Sequence, residues 1–348
     1  MRALTIDGKR IDDTEDCYVI AEIGHNHQGS VEQCKKMFRI AKECGAHAVK
    51  LQKRNNKAIF TEAAYNQVYD NRNSYGDTYG VHREVLEFDE AQFRDLIQYA
   101  ADLGITLFST AFDVESADML DKLGTPAYKV ASFDLRFTPL LRHVAEKGKP
   151  IIISTGASTL DDIRRAYEVI HPINPNVAIL QCTSSYPCEF EELDLGVITT
   201  LRHEFEDCVI GYSGHDSGIA MAVAAYVLGA RIVEKHFTLN RASKGTDHAF
   251  SLEPVGLRKM CRDLQRCRAA MGDGVKKVYE SEKRPFSKMS KKIVAAGPMS
   301  AGTVLDWKHL DYRSPGDGMP PWQADQLVGR TLKCDVGKEE TLSLDLVN

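Results

Sequence analysis

The sequence holds no run of apolar residues approaching membrane-spanning length, so no spanning helix is expected. It has no block of lysine and arginine, and its net charge of -5 favours neither nucleic acid nor an anionic membrane surface as a partner. Its start, MRALTIDGKRIDD, lacks the basic residues followed by an apolar stretch that a secretory signal needs, and none is expected. Among nine cysteines there is no CxxC pair, and the number is odd. Cys34, Cys44, Cys261 and Cys267 fall inside helical patterns, where a small buried thiol is the plain reading. A reduced, cytoplasmic setting therefore fits better than a disulfide framework.

What is present is a long chain of ordinary composition, 348 residues with 43% hydrophobic and 27% charged. That length suits a barrel of about 250 residues plus one small module. A recurring phrase sets the organisation: an amphipathic helix, a glycine, then a short apolar strand ending in polar residues. It reads CGAHAVKLQ (44–52), LGITLFST (103–110), LGTPAYKVAS (123–132), KGKPIIISTG (147–156) and LGARIVEKH (228–236). Each glycine stands where a helix C-terminus calls for a left-handed residue. Val31, Cys34, Phe38 and Ala41 share one helical face, as do Phe93, Leu96, Ala100 and Leu103. Ser30 with Gln33, and Asp89 with Gln92, have the spacing of capping boxes.

Three more apolar runs, CYVIAE (17–22), VAILQCT (177–183) and CVIGYSG (208–214), bring the strands to eight in alternation with helices. The expected fold class is α/β: a closed (β/α)8 TIM barrel, with an open doubly wound sheet as the alternative. The barrel is expected over 1–275, a charged linker over 276–292, and a small β-rich domain over 293–348. Residues 53–88 interrupt the rhythm with a long polar, tyrosine-rich stretch, read as a lid or a sugar-contacting loop.

In such a barrel the C-terminal strand ends converge on one site. Here they carry Glu22; Lys50 and Gln52; Ser109 and Thr110; Lys129 and Ser132; Ser154 and Thr155; Gln181 and Thr183; Ser213 and His215; Glu234 and His236. His215 and His236 end neighbouring strands, so two imidazoles can meet over one divalent ion. Manganese or magnesium suits a two-histidine site with open positions; zinc is the alternative, with no third cysteine or histidine obviously placed to complete it. Lys50 and Lys129, with hydroxyls from Thr110, Ser132, Ser154 and Ser213, suit a phosphate and a carboxylate held together. Glu22, beside both groups, is the natural proton carrier. The bland alternative for the lysines is pairing with Asp134, Glu22 or Glu234.

These residues resemble the N-acetylneuraminate (sialic acid) synthases and their pseudaminate, legionaminate and spore-coat relatives. The resemblance rests on AEIGHNHQGS (21–30), AVKLQ (48–52), PAYKVAS (126–132), IISTG (152–156), QCTSSYP (181–187), IGYSGHDSG (210–218), EKHFTL (234–239) and KGTDHAFSLEP (244–254), in family order. The tail resembles the antifreeze-like (SAF) domain that closes those enzymes. The resemblance implies condensation of phosphoenolpyruvate with an unphosphorylated N-acylhexosamine such as N-acetylmannosamine, with release of phosphate. It assigns Mn2+ or Mg2+ to His215 and His236, and phosphoenolpyruvate to Lys50, Thr110, Lys129, Ser132, Ser154, Ser184 and Ser213. It makes Glu22 the acid/base, places Gln52, Tyr186 and Asp247 on the sugar side, and implies a domain-swapped head-to-tail homodimer.

Two segments depart from the sialic acid pattern. Arg313 precedes Ser314-Pro315-Gly316, one place early for the arginine that meets the sugar's N-acyl group in that family. Ala131-Ser132-Phe133-Asp134 stands where Gly-Ser-Gly-Glu is usual. The same chemistry on another hexose (pseudaminate, legionaminate or a deaminated analogue) is therefore the alternative within the class. A non-catalytic carbohydrate- or ice-binding protein, and a lyase running towards pyruvate, are the alternatives outside it.

Overall fold

Leu4, Ile6 and Ile11 alternate with polar residues around an Asp7-Gly8 pair, and the chain there forms an antiparallel hairpin of β1 (Ala3–Ile6) and β2 (Lys9–Asp12). Both turn residues take positive φ, 50° and 76°, the mirror-image turn that suits twisted two-strand ribbons. This hairpin is an element beyond the eight expected strands. Its signal was the Asp-Gly dipeptide itself.

The eight strands follow as expected: β3 (Tyr18–Glu22), β4 (Ala48–Lys53), β5 (Thr106–Ala111), β6 (Tyr128–Val130), β7 (Ile151–Ser154), β8 (Val177–Cys182), β9 (Val209–Gly214) and β10 (Ile232–His236). All are parallel, and β10 pairs with both β9 and β3, so the sheet closes into a barrel without a free edge. Helices Val31–Glu43, Glu90–Leu103, Val114–Lys122, Thr138–Glu146, Leu160–Ile170, Val197–Glu204, Ala220–Val227 and Pro254–Met271 alternate with them. The fold is a (β/α)8 barrel.

Alternation along each strand sets two cores. Val19, Ala21, Val49, Leu51, Ile153 and Ile179 face outward and pack under the helices. Tyr18, Ile20, Ala48, Phe108, Ile152, Ala178, Leu180 and Ile232 face inward, where Leu4, Ile6 and Ile11 of the hairpin join them. The inward positions turn polar only in the last layer, at Glu22, Lys50, Thr110, Lys129, Ser154, Ser213 and Glu234. A dry lower barrel thus supports a charged mouth.

Several helix ends behave as their sequences ask. Asp89 and Gln92 form a full capping box. Ser30 accepts from the Gln33 amide, but the Gln33 side chain turns instead to the Asn26 carbonyl and the Gln28 side chain, so that box is half made. The excursion after β4 carries three short helices, Asn56–Ile59, Glu62–Tyr65 and Tyr79–Val85.

The computed structural model describes residues 2–348, and the chain divides into two compact units, one ending at Gly272 and one running Asp273–Asn348. In the second unit β11 (Lys292–Ala295) pairs antiparallel with β12 (Leu310–Arg313). Isolated bridges such as Val294–Thr341 and Met299–Val336 tie later turns to this pair. Ile293, Leu305, Leu327, Leu332 and Leu342 lie in its own core. The stretch expected as a linker contains a helix, Glu280–Met289, with no buried residue. Among the described residues no helix is long and apolar enough to cross a membrane.

Candidate active site

The charged layer at the barrel mouth is a buried lattice of alternating sign. Lys50 Nζ lies 2.8 Å from Glu22 Oε2 and 3.6 Å from Glu234 Oε1, and donates to Thr110 Oγ1 at 2.8 Å. Lys129 Nζ donates to Ser154 Oγ at 2.6 Å and to the Val130 carbonyl at 3.1 Å. Gln52 Nε2 donates to Glu22 Oε1 at 2.8 Å. Placing four ionisable groups in such a dry position costs free energy unless they neutralise one another or await a charged ligand.

Their protonation tendencies diverge. Burial raises the pKa of Glu22 above the usual carboxylate range, and the neighbouring Lys50 offsets only part of that. Burial acts on Glu234 in the same sense, but Lys50, Lys129 and both imidazoles outweigh it and lower its pKa. For Lys50 burial opposes the charge, and Glu22 with Glu234 more than restores it, so its pKa rises. Burial lowers the pKa of Lys129. Two carboxylates beside one ammonium thus lean opposite ways: Glu22 holds a proton more readily than an ordinary carboxylate, and Glu234 less readily.

His236 ends β10 opposite Glu22 in the strand register, and His215 follows β9. Their rings lie 5.4 Å apart between centroids. His215 Nδ1 lies 2.8 Å from the Thr183 carbonyl, an acceptor, which places the proton on Nδ1 and leaves Nε2 with its lone pair. His236 is buried, its pKa pushed down to about 3 mainly by desolvation, and its Nδ1 has no hydrogen-bond partner among the described residues. Asp247 Oδ2 stands 3.8 Å from that nitrogen. Tyr186 and Phe250 pack against both rings.

One cavity of about 550 Å³ gathers these groups. Glu22, Lys50, Gln52, Thr110, Lys129, Ser132, Ser154, Tyr186, Ser213, His215, His236 and Asp247 all line it. Ser184 is set back beside Cys182, 3.9 Å from its sulfur. Arg313 belongs to the second unit, where it ends β12 and pairs with Asp311 at 2.7 Å.

Four of the polar strand-end residues turn away from the mouth. Ser109, Thr155, Gln181 and Thr183 spend their side chains on the carbonyls of Thr110, Leu180, Leu193 and Glu192. On β8 it is Cys182 that faces inward. The wall also includes residues that strand-end reasoning passed over: His25, Arg54, Phe60, Tyr79, Arg83 and Phe112. Most of these come from the interrupted stretch after β4, where no periodicity tells which way a side chain points.

Comparison with known proteins places the chain in a family. The chain is 38% identical over 342 residues to the N-acetylneuraminate-9-phosphate synthase of Homo sapiens, spanning 98% of this chain and 95% of that protein. It is 33% identical to the N,N'-diacetyllegionaminic acid synthase of Campylobacter jejuni, spanning 93% of this chain and 98% of that one. Among solved structures, the N-acetylneuraminic acid synthetase of Leptospira borgpetersenii, in complex with citrate, aligns with a TM-score of 0.72 at 29% identity, over 82% of this chain and 95% of that one. The NeuB family pattern itself matches residues 37–276, and the chain belongs to the NeuB family.

Proposed function

We propose that the protein joins phosphoenolpyruvate to the aldehyde of an open-chain N-acylhexosamine, giving a sialic-acid-type nonulosonate and phosphate. The observation that carries this reading is the pairing of two ammonium groups, Lys50 and Lys129, with two imidazoles, His215 and His236, around one cavity. A non-catalytic sugar-binding protein has no use for that set, and a lyase needs no phosphate pocket.

In this reading Lys50, Lys129, Thr110, Ser132, Ser154 and Ser213 hold phosphoenolpyruvate, with Ser184 behind them. Gln52, Tyr186 and Asp247 meet the sugar. C3 of phosphoenolpyruvate attacks the aldehyde, the positive charge left at C2 is trapped by water, and phosphate departs by C–O cleavage. Glu22, kept protonated more readily than an ordinary carboxylate, supplies a proton to the aldehyde oxygen as it becomes a hydroxyl.

His215 and His236 fit a divalent cation: one imidazole has its tautomer fixed by a carbonyl, and the other is neutral with an orphaned buried nitrogen. Among the described residues no group of three or more His, Cys, Asp or Glu side chains is arranged to hold an ion. Two protein ligands with open positions suit Mn2+ or Mg2+ better than structural zinc. Such an ion, when bound, acts as a Lewis acid on the aldehyde oxygen.

Free N-acetylmannosamine is the reference acceptor. Phe133 and Asp134 on the cavity wall favour a modified hexose as the second reading. Three carbons are added at the aldehyde, so C6 of the hexosamine becomes C9 of the product. The 9-phosphate in the human relative's name thus corresponds to a phosphate on C6 of its sugar. The second unit is read as an antifreeze-like domain, with Arg313 as its sugar-side residue, and the enzyme as a cytoplasmic homodimer.

The test is incubation with Mn2+, phosphoenolpyruvate and a panel of N-acylhexosamines, following phosphate and weighing the product. Absence of phosphate release with every sugar overturns the proposal.

A further inference from the structure

Each imidazole at the mouth has a charged chain neighbour that points the other way. Lys235 precedes His236 on β10, Asp216 follows His215, and neither is among the residues that line the cavity. Ile232, Glu234 and His236 face inward, so Lys235 shares the outer face of β10 with Val233 and Phe237, which pack in the apolar layer under the helices. That layer asks for an apolar side chain. Lys235 stands there instead, and its side chain and that of Asp216 are each 1% exposed.

Lys235 Nζ donates to Asp216 Oδ1 at 2.8 Å and to the Asp216 backbone carbonyl at 2.6 Å, and Tyr212 Oη donates to the same Oδ1 at 2.7 Å. Asp216 Oδ2 has no hydrogen-bond partner among the described residues. A buried ion pair with an unsatisfied oxygen adds little stability, and well-packed apolar residues of the same volume often do as well or better. What this pair supplies is position. Lys235 and Gly214 are register partners across β9 and β10, so one ammonium ties the peptide after His215 to the strand that ends in His236. Gly214 makes room for the tie, because a Cβ there would stand 2.7 Å from Asp216 Oδ1 and 2.5 Å from the Tyr212 ring. His215 has two further anchors: its carbonyl accepts from the Cys188 N–H at 3.2 Å, and its ring is held by the Thr183 carbonyl. The His236 ring has no such hold on Nδ1, so its place relative to His215 depends on the link between the strands.

We infer that Lys235 is a positioning residue for the divalent ion: with Asp216 and Tyr212 it fixes the separation of His215 and His236 from behind the barrel wall. This rests on the reading of those two imidazoles as the ion's ligands. Lys235 itself touches neither ion nor substrate.

The test measures Mn2+ binding to metal-free protein by electron paramagnetic resonance, without substrates. Asp216→Asn keeps both acceptor oxygens for Lys235 but leaves the ammonium without its counter-charge. Lys235→Met/Asp216→Asn removes both charges and the tie. The double variant should melt higher than Asp216→Asn, yet bind Mn2+ about tenfold or more weaker than the wild type. Asp216→Asn should keep most of the wild-type affinity, and the KM for phosphoenolpyruvate at saturating Mn2+ should change little in either. Wild-type Mn2+ affinity in the double variant overturns the inference. So does an affinity that follows melting temperature across the three proteins, or an equal loss of phosphoenolpyruvate binding, which would show a general slackening of the mouth. Tyr212→Phe loosens the same carboxylate without removing a charge and serves if the double variant does not fold. It should weaken Mn2+ binding about threefold, and no change overturns the inference. A wild-type protein that binds Mn2+ no better than His215→Ala removes the ion site itself, a separate result.

Discussion

At the scale of single residues, the mouth of the barrel is a place where charge is bought with burial and only partly neutralised. His236→Ala removes a neutral imidazole from the rim and leaves the dry lower core intact. Turnover should fall at least about a hundredfold with little change in melting temperature; phosphate release and a thermal melt measure the two. Lys129→Ala should raise the KM for phosphoenolpyruvate by about tenfold with a smaller change in kcat, and an unchanged KM would remove Lys129 from the donor pocket. Asp134 offers a pH test. Burial pushes its carboxyl from the ordinary 3.8 up to about 6, against the opposing pull of Arg54 and Lys129. The folded protein therefore takes up this proton more readily than the unfolded chain, and stability is lost as pH rises from about 4 through about 6. Asp134→Asn should gain roughly 1–2 kcal/mol above that window, allowing for the carboxyl's partial exposure, and the gain should shrink towards zero at its lower end. Denaturant titrations of both proteins across that range check the sign.

At the scale of elements, the strands position chemistry because every second residue points inward, and the connecting turns finish the job. Gly156, just past β7, shows how tightly: its N–H donates to Ser132 Oγ at 2.9 Å, and a Cβ there would collide with the hydroxyls of Ser132 and Ser184. Gly156→Ala should cost about 1–3 kcal/mol of stability and raise the KM for phosphoenolpyruvate together; a variant with normal kinetics would detach these serines from the donor. The same inside-outside rule explains what the sequence made legible. Glu22, Lys50, Thr110, Lys129, Ser154, Ser213 and His236 could be read because each ends an apolar run and the helix-ending glycines mark where the runs begin. Gln181 and Cys182 could not be ranked. β8 is buried on both faces, so its sequence carries no polar alternation to give the phase. Arg54, Arg83 and His25 escaped for a different reason: Arg54 lies just past β4, Arg83 on the short helix Tyr79–Val85 and His25 in the turn after β3, where no strand alternation gives a direction. The β1–β2 hairpin was readable from its Asp-Gly turn.

At the scale of the whole molecule, two cores without shared residues serve two units. A chain ending at Gly272 should keep a cooperative melt of its own, because the barrel's inner and outer layers are complete within it. A broad, non-cooperative transition would show that the tail is needed for folding. The NeuB family character, the closed sheet and the lattice of charges at its mouth all belong to that first unit.

The ring of strands has a temporal consequence. β3 is made early and β10 late, yet Glu22 and His236 are register partners across the seam where the sheet closes. Glu22 and the last imidazole therefore stay strangers for most of synthesis on the ribosome. A nascent chain halted before β10 would own both lysines and the hydroxyls of the mouth but neither Glu234 nor His236, so on the proposed function activity should arrive abruptly, with the final barrel strand.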